Sequence, residues 1–482
     1  MKLWGKRTVI WAAAVLVAAL AAAGWPLTTV APIMTGFAAK TICSNVFISG
    51  RDAGDVLRED VAPVSFLATS VSYRVDREAR AVAADIFGFA EARAVFREGC
   101  GCTLVVGVPE AELYTQPIAA REIRESAVDD LPGLAAGREI GEPLPPGVDS
   151  GRLKQALDAA FTEDFPEMPK RTRAVLVVYD GRLIAERYAP GFTLGMPLLG
   201  WSMSKSVTNA LVGILVKKGR LTLDQPAPVR EWQAQGDPRR AITLDQLMRM
   251  SSGLEFDEVY TPFGDTAAML CGSGDFAAYA ATKPLAAAPG SRWSYSSGTA
   301  NIISRIVRQA TETDTPNSYH FLRRELFDAI GMTSAVMEAD PSGTFVGSSY
   351  TFATPRDWAR FGLLFLQDGV WNGKRILPEG WVTYTTTPAE KAPKGEYGAL
   401  FWLNAGATSD PANRRWPSVP ADAYSAEGFQ KQQVIIIPSR KLVLVRFGAT
   451  PTPQAWNTEA FIADVLAALP SYQGVEKLRL RP

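Results

Sequence analysis

Two segments with the sequence pattern of β-hairpins lie far apart in this chain, and they constrain its fold more than any other feature. In the first, the apolar run Ala174–Tyr179 and the run Arg182–Glu186 flank an Asp-Gly dipeptide, which is a strong turn signal. In the second, Gln433–Ile437 precedes Leu442–Arg446. The sequence between the hairpins reads as mostly helical. We therefore predict an α+β fold, in which an antiparallel sheet holds both hairpins, is flanked by helices and carries an inserted helical lobe.

The chain of 482 residues exceeds the usual size of one domain, so we expect additional segments beside the main one. Residues 139–150 are rich in Pro and Gly and read as a linker. Before this linker, residues 41 to about 106 alternate like β structure, and residues 41–138 are predicted to form a small β-rich appendage. After it, residues 151–472 are predicted to form the main domain and residues 473–482 a tail.

Residues 1–40 are predicted to be a signal or membrane-anchor segment. Three cations among the first seven residues precede an uncharged run that extends to Lys40. Its most apolar part, Val9–Ala23, is long for the core of a signal peptide and short for a membrane span. A cleaved signal and a retained anchor both stay open, and the apolar residues after Ala23 favour the anchor. In either case we expect a location in the bacterial cell envelope, at the inner membrane or in the periplasm.

Charge and histidine content exclude several classes of function. The chain has 50 basic and 50 acidic residues, so no overall field attracts nucleic acid, and no nucleic-acid partner is expected. The single histidine, His320, lies in a helix-like segment without a serine motif beside it. A Ser-His-Asp site and a zinc site are therefore not predicted, and neither is a cofactor. Any hydrolytic chemistry should use another base.

Four cysteines fit an oxidising compartment. Cys100 and Cys102 are separated by one glycine, which is too close for an easy bridge between them. We expect one of the two to pair with Cys43, and we name Cys43–Cys102 as the candidate disulfide. Cys271 is then expected to be buried and free.

Ser202 and Lys205 form the one S-x-x-K sequence of the chain, at the start of a helix-like apolar segment. Residues three positions apart lie on one face of a helix, so the Lys205 amine can reach the Ser202 hydroxyl. At a helix start, the Ser202 N–H is also free to stabilise an oxyanion. A partly buried Lys205 loses its proton more readily and can serve as the base that activates Ser202. A helix-capping serine beside a solvated lysine is the alternative interpretation of so short a motif.

Tyr295 lies within the segment Trp293–Asn301, which leads from a Pro-Gly turn into an apolar helix. A tyrosine at such a loop-to-helix junction can place its phenol beside a serine and a lysine. There it can relay a proton to a leaving group. A surface turn is the alternative interpretation.

The segment Gly200–Asn209 resembles the nucleophile segment of the serine β-lactamase and penicillin-binding-protein superfamily. Other segments that resemble this superfamily follow in the same order along residues 150–470, namely Leu247–Leu254, the Tyr295 segment, Arg356–Gly362, Asp368–Lys374 and Gly428–Gln432. The likeness is to the class C β-lactamase-like esterases and amidases. Within this branch the sequence is most similar to 6-aminohexanoate-dimer hydrolases.

The resemblance implies a nucleophile at Ser202, its base at Lys205 and a proton relay at Tyr295. It also implies substrate-binding roles for two further residues. Tyr260 stands where the relatives have a tyrosine on a loop that closes over the substrate. Ser297 stands where many members of the superfamily have asparagine, and it keeps a polar group at that place.

The third motif of the superfamily, Lys-Thr-Gly or His-x-Gly, is replaced here by Ala426-Glu427-Gly428. The cation that helps to hold a substrate carboxylate is absent, and an acid is present. An anionic substrate beside Glu427 would be disfavoured electrostatically unless the acid is neutralised. Lys431, a few residues later, could restore positive charge. The resemblance also makes Gly428 and the N–H of Phe429 candidates for substrate binding, the latter as a second oxyanion donor.

These observations predict a cell-envelope serine hydrolase that cleaves a small-molecule ester or amide through an acyl-enzyme on Ser202. Two alternatives stay open. One is a D,D-peptidase or penicillin-recognising protein, which the missing third-motif cation disfavours. The other is a relative that has lost turnover and serves as a binding protein of the envelope, which the intact trio of Ser202, Lys205 and Tyr295 disfavours. The sequence does not predict an oligomeric state.

Overall fold

The computed structural model describes residues 28, 30–64, 66–117, 139–141, 143–312, 318–407 and 409–470. Most of the predicted anchor segment and the predicted tail, residues 473–482, lie outside this range. Among the helices within it, none combines the length and hydrophobicity needed to cross a membrane.

A six-stranded antiparallel sheet, the central sheet, organises the main domain. Its order from edge to edge is Trp402–Leu403, Tyr424–Gly428, Gln432–Ile437, Leu442–Gly448, Thr172–Tyr179 and Arg182–Tyr188. Both predicted hairpins are present. The two hairpins join through the pairing of Leu442–Gly448 with Thr172–Tyr179, which brings together distant parts of the chain as predicted. The antiparallel sheet with flanking helices confirms the predicted fold class.

Helices cover both faces of the central sheet, which explains why its inner strands are almost continuously apolar. Ser150–Phe161 and Thr458–Ala468 pack together on one face, where Leu157 and Val465 belong to the same buried cluster. Pro355–Leu366 packs on the other face. Sheet residues thus have no solvated side, and the alternation of apolar and polar residues typical of exposed sheets is lost.

The helical lobe inserted between the hairpins is made of short helices and small sheets. Its helices are Met203–Lys217, Leu244–Met248, Asp265–Gly272, Phe276–Ala281, Ser297–Glu312, Ser318–Leu322 and Trp381–Thr386. A three-stranded sheet contains Leu198–Leu199, Thr351–Ala353 and Val336–Met337, and a two-stranded hairpin contains Val370–Trp371 and Lys374–Arg375. Shorter 3-10 and π segments are Arg230–Trp232, Pro238–Ala241, Arg323–Phe327, Asp328–Ile330, Phe429–Lys431, Pro438–Arg440 and Pro453–Ala455.

A second unit, the N-terminal unit, consists of the helix Ala31–Phe47 and a four-stranded antiparallel sheet. The strands are Val71–Asp76, Ala81–Ile86, Phe89–Arg97 and Gly101–Leu104, and short helical segments are Ala53–Val56, Leu57–Val61, Ala62–Val64, Phe66–Ser70 and Glu110–Thr115. The strands lie within residues 41–138, the predicted β-rich appendage. Residue 40, where the predicted anchor segment ends, falls inside the helix Ala31–Phe47. That helix is buried on nearly all sides, so it lacks the polar face that marks a helix in sequence.

The predicted linker is part of the folded structure where it is described. Gly141 donates its N–H to the carbonyl of Ile184 at 2.9 Å, and Glu186 donates its N–H to the carbonyl of Glu139 at 2.9 Å. These bonds continue the central sheet beyond its edge strand. The linker then ends at Asp149, whose side chain caps the helix Ser150–Phe161.

A buried ion pair fixes the N-terminal unit to the main domain. Lys40 lies on the helix Ala31–Phe47 and pairs with Glu338, and both side chains are almost fully buried. Glu338 also accepts hydrogen bonds from the Ser44 hydroxyl at 2.8 Å and from the Cys102 N–H at 2.6 Å. The Lys40 ammonium lies 4.1 Å from the centre of the Tyr350 ring. Without Glu338, Lys40 would lose its counter-charge, and the Ser44 hydroxyl and the Cys102 N–H would lose this acceptor.

The candidate disulfide joins Cys43 on that helix to Cys102 in the N-terminal sheet, with their Cα atoms 6.1 Å apart. Cys100 and Cys271 are buried and free. The Cys100 thiol and the Tyr319 hydroxyl lie 3.2 Å apart, so this thiol also contacts the main domain.

We expect Glu338→Ala to destabilise the protein by about 3–5 kcal/mol, because a buried Lys40 would keep its charge without a partner. The double variant Lys40→Met, Glu338→Leu should lose clearly less unfolding free energy, since it leaves no unpaired buried charge. Urea unfolding followed by circular dichroism measures both. If the single and double variants lose equal amounts of unfolding free energy, the conclusion that this ion pair holds the N-terminal unit to the main domain is contradicted.

Candidate active site

The predicted nucleophile Ser202 lies where a short strand meets a helix. Leu198–Leu199 ends just before it, and the helix Met203–Lys217 begins just after it. The residue between, Trp201, has a left-handed backbone with φ of 49°. Such a conformation is unfavourable for a tryptophan and is common at functional sites. It turns the chain sharply, so that Ser202 enters the helix with its N–H among the groups that have no partner within the helix.

Lys205 is buried against Ser202, as the three-residue spacing predicted. Its Nζ lies 3.1 Å from the Ser202 hydroxyl, 3.0 Å from the Ser297 hydroxyl and 3.1 Å from the Ser348 carbonyl. Burial lowers the pKa of Lys205 from its usual 10.5 to about 8, against an opposing effect from the charge of Glu258. A substantial share of Lys205 is therefore neutral near pH 8. In that form its nitrogen can accept the Ser202 proton across the same contact.

Tyr295 lies beside this pair, and its ring centre is 4.6 Å from the Lys205 ammonium. It is stacked on Trp402, with the ring centres 5.3 Å apart, and its side chain lines the same cavity as Ser202. Burial raises the pKa of Tyr295 well above its usual value, and Tyr397 and Glu258 raise it further. The phenol therefore keeps its proton at neutral pH and can donate it.

Tyr260 approaches Ser202 from a different loop. Its side chain lines the same cavity as Ser202, and its ring stacks on Phe429 with centres 5.1 Å apart. Burial raises the pKa of Tyr260 as well. Two neutral phenols thus line the cavity that Ser202 lines.

Glu258 completes the site, and our sequence reasoning missed it. Its carboxylate accepts a hydrogen bond from the Ser297 hydroxyl at 2.5 Å and another from the Ser297 N–H at 2.6 Å. A continuous path of hydrogen bonds therefore runs from Glu258 through Ser297 and Lys205 to Ser202. The sequence signal was faint, because Glu258 stands two residues before Tyr260 in a loop without a motif. The departure from asparagine to Ser297 was the one hint that a second polar group was needed.

Gly428 brings the edge of the central sheet against the nucleophile segment. A Cβ atom at this position would lie 2.1 Å from the carbonyl oxygen of Gly200, so no other residue fits here without displacing the chain. The turn Phe429–Lys431 follows directly, with the Phe429 ring 5.6 Å from the ring of Trp201. The close approach of the two segments places the Phe429 backbone at the cavity that Ser202 lines.

The acid of the altered third motif is neutralised. Arg415 binds both carboxylate oxygens of Glu427, at 2.9 and 3.0 Å, and the Ser425 hydroxyl donates to the same group at 2.7 Å. Arg415 and Ser425 help to keep the pKa of Glu427 low although the group is buried. Arg415 lies 12 residues before Glu427 and outside the motifs, so no sequence pattern indicated this pairing. The electrostatic argument against an anionic substrate beside Glu427 is correspondingly weakened, and Lys431 stands at the same cavity.

The turn after Gly428 is held by a buried arginine. Arg446 donates to the carbonyls of Gln430 and Lys431, at 3.2 and 3.0 Å, and to the Thr450 hydroxyl at 2.8 Å. Thr450 and the turn both line the cavity. The Arg446 guanidinium thus holds both the turn Phe429–Lys431 and Thr450 in place beside the cavity.

The cavity has a volume of about 290 Å³. Five of the predicted site residues line it, namely Ser202, Tyr260, Tyr295, Gly428 and Phe429. Lys205 and Ser297 lie buried behind Ser202, within the hydrogen-bond path described above. His320 is exposed on the helix Ser318–Leu322 and lies outside the cavity lining. Within the described residues, no group of three or more His, Cys, Asp or Glu is arranged to hold a metal ion.

Comparisons with known proteins point to one family. The family model described as Beta-lactamase matches residues 162–468. The 6-aminohexanoate-dimer hydrolase of Paenarthrobacter ureafaciens is 24% identical over 343 residues, which cover 65% of this chain and 83% of that protein.

Solved structures show a similar fold. A family VIII carboxylesterase has 14% sequence identity and a TM-score of 0.52, over 69% of this chain and 100% of the other. A penicillin-binding protein homologue from Caulobacter crescentus has 17% identity and a TM-score of 0.50, over 67% of this chain and 99% of the other. At these identities the likeness concerns the fold.

Proposed function

The chain belongs to the beta-lactamase family and is a serine hydrolase of that superfamily, and we propose that it cleaves a small-molecule ester or amide through an acyl-enzyme on Ser202. The observation that carries this proposal is the contact of the Lys205 amine with the Ser202 hydroxyl, at 3.1 Å, in a setting that lowers the pKa of Lys205 to about 8. A buried amine of this kind is a base at a pH where an exposed lysine is not.

In the proposed first half-reaction, Ser202 Oγ attacks the carbonyl carbon while Lys205 takes the hydroxyl proton. The negative charge that develops on the carbonyl oxygen is stabilised by the N–H groups of Ser202 and Phe429. Removal of one such donor typically reduces kcat by about 10²–10³. Tyr295 donates its proton to the departing alcohol or amine, and the proton held by Lys205 returns to the Tyr295 oxygen. The serine then carries the acyl group.

In the proposed second half-reaction, a water molecule attacks the acyl-enzyme. The neutral Lys205 amine accepts a proton from this water, either directly or through Tyr295, whose oxygen takes that proton as its own proton passes to Lys205. The acid product then leaves as Lys205 returns the proton to Ser202 Oγ. Tyr260 supports substrate binding in this proposal, since it lines the same cavity as Ser202 and its ring stacks on Phe429.

An activity-based probe tests the proposal. We expect a fluorophosphonate to label the full chain, and Ser202→Ala to abolish both labelling and hydrolysis of p-nitrophenyl esters. The matched control is Ser206→Ala on the same helix, because this hydroxyl donates to the Leu400 carbonyl and lies outside the cavity lining. The control should keep labelling and turnover. Parallel assays with nitrocefin and with linear amide dimers identify the preferred bond.

The same experiment separates the alternatives. Stable trapping of labelled penicillin without ester or amide turnover would favour a D,D-peptidase or penicillin-recognising protein. If neither the fluorophosphonate nor the labelled penicillin labels the protein, both enzyme hypotheses are contradicted and a non-catalytic binding protein is favoured.

The pH dependence of kcat/KM should follow the loss of the proton from the Lys205 ammonium. Activity requires the neutral amine, so we expect kcat/KM to rise with pH and to level off above an inflection near the pKa of about 8. Glu258→Gln removes the negative charge that favours the ammonium form and should move the inflection to lower pH. The control Glu255→Gln changes an exposed acid of the same loop and should leave it in place. An unchanged or higher inflection in Glu258→Gln would contradict the assigned electrostatic role.

We also propose that the N-terminal residues deliver the chain to the bacterial cell envelope. Support comes from the cations that precede the apolar run Val9–Ala23, and from the Cys43–Cys102 disulfide, which is typical of oxidising compartments. Fractionation of cells that produce the full chain tests this, with carbonate extraction to distinguish an anchored from a released protein. Recovery in the cytoplasm with reduced cysteines would contradict it.

A further inference from the structure

An apolar recess lies next to the cavity that Ser202 lines. The N-terminal helix supplies Ile33 and Phe37, the nucleophile segment supplies Trp201, and the helix Asp265–Gly272 supplies Ala267 and Leu270. The other lining residues include Val64, Tyr260 and Tyr350. None of the described residues that line it carries a charge. The recess has a volume of about 50 Å³ and is therefore suited to a small, uncharged, apolar group.

The recess adjoins the cavity, because Tyr260 lines both. Trp201, which precedes the nucleophile, also lines the recess. Phe37 of the N-terminal helix stacks on Trp201 with ring centres 6.4 Å apart, and Tyr260 and Trp201 both contact the ring of Phe429. The recess and the cavity thus share an aromatic wall.

The recess adjoins the part of the cavity that Tyr260 lines and not the part that the proposed acid, Tyr295, lines. Tyr295 and Trp402 line the cavity but not the recess. Since Tyr295 is assigned to the leaving group, the group that stays on Ser202 points away from Tyr295. The occupant of the recess is then part of the acyl group.

We propose that this recess is an acyl-chain subsite and that the preferred substrates are esters or amides of carboxylic acids with an unbranched apolar chain. The proposal rests on the proposed function, because it concerns the same reaction at Ser202. It also gives the N-terminal unit a part in specificity, since Ile33 and Phe37 lie outside the residues 162–468 that match the family model.

A chain-length series measures the subsite directly. The substrates are p-nitrophenyl esters from acetate to dodecanoate, which keep the leaving group constant. Each methylene buried in the recess should raise kcat/KM by up to about fourfold, until the recess is filled. A matched series of acetate esters with alkyl leaving groups of increasing length should show a much weaker trend.

Substitutions in the recess test whether it causes the rise of kcat/KM with chain length. Ala267→Phe fills it and should abolish the gain with chain length while turnover of the acetate ester persists. The matched control is Ala268→Phe, whose position is neighbouring and similarly half-buried but outside the lining, and it should keep the gain. Ile33→Ser, on the N-terminal helix, should reduce the gain per methylene and serves if Ala267→Phe fails to fold.

The outcomes separate this proposal from the proposed function. Turnover of the acetate ester without any gain for longer chains overturns the acyl-chain subsite and leaves the hydrolase assignment intact. Equal effects of Ala267→Phe and Ala268→Phe also overturn it. A gain that emerges only when residues 1–27 are removed would identify that segment as the occupant instead. No turnover and no fluorophosphonate labelling would overturn both proposals together.

Discussion

The site depends on keeping the Lys205 amine away from water. Burial of an ammonium is costly unless it has partners, and the fold supplies three oxygen partners at about hydrogen-bond distance, from Ser202, Ser297 and Ser348. The charge of Glu258 offsets part of that cost and keeps the pKa of Lys205 from falling further. The nucleophile helix, the Ser297 helix and the Tyr260 loop therefore have to meet at one point. The central sheet, closed by strands from distant parts of the chain, holds them there.

The chemistry of the cavity wall follows from how its charges are paired. Glu427 is bound by Arg415, and Glu258 is engaged with Ser297, so neither acid presents a free carboxylate to a substrate. Two phenols with raised pKa values add neutral hydrogen-bond donors. Lys431 lines the same cavity, so the wall offers hydrogen-bond donors and one cation beside two acids that are already engaged with protein partners.

Sequence patterns predicted the sheet, the helical lobe and the contact of Ser202 with Lys205, because these depend on local periodicity and on residues a few positions apart. They did not predict the helix Ala31–Phe47, since a helix buried on all sides has no polar face to mark it in sequence. Glu258 and Arg415 were missed for another reason. Each contacts a partner well beyond the next turn of the chain, Ser297 at 39 positions and Glu427 at 12, and contacts at such separations leave no periodic pattern in the sequence. The placement of Tyr260 beside Ser202 came from the resemblance and not from its own sequence.

The buried helix Ala31–Phe47 has a consequence for how the protein can be handled. It covers Trp201 and Tyr350 and supplies the partner of the buried Glu338, while the helix Ser150–Phe161 covers one face of the central sheet. Both lie before the segment that matches the family model. A chain shortened to that segment would expose a broad apolar surface and an unpaired carboxylate, the conditions under which proteins aggregate. We therefore expect the family segment alone to aggregate, and recombinant production to succeed better when the chain includes the residues from the start of that helix.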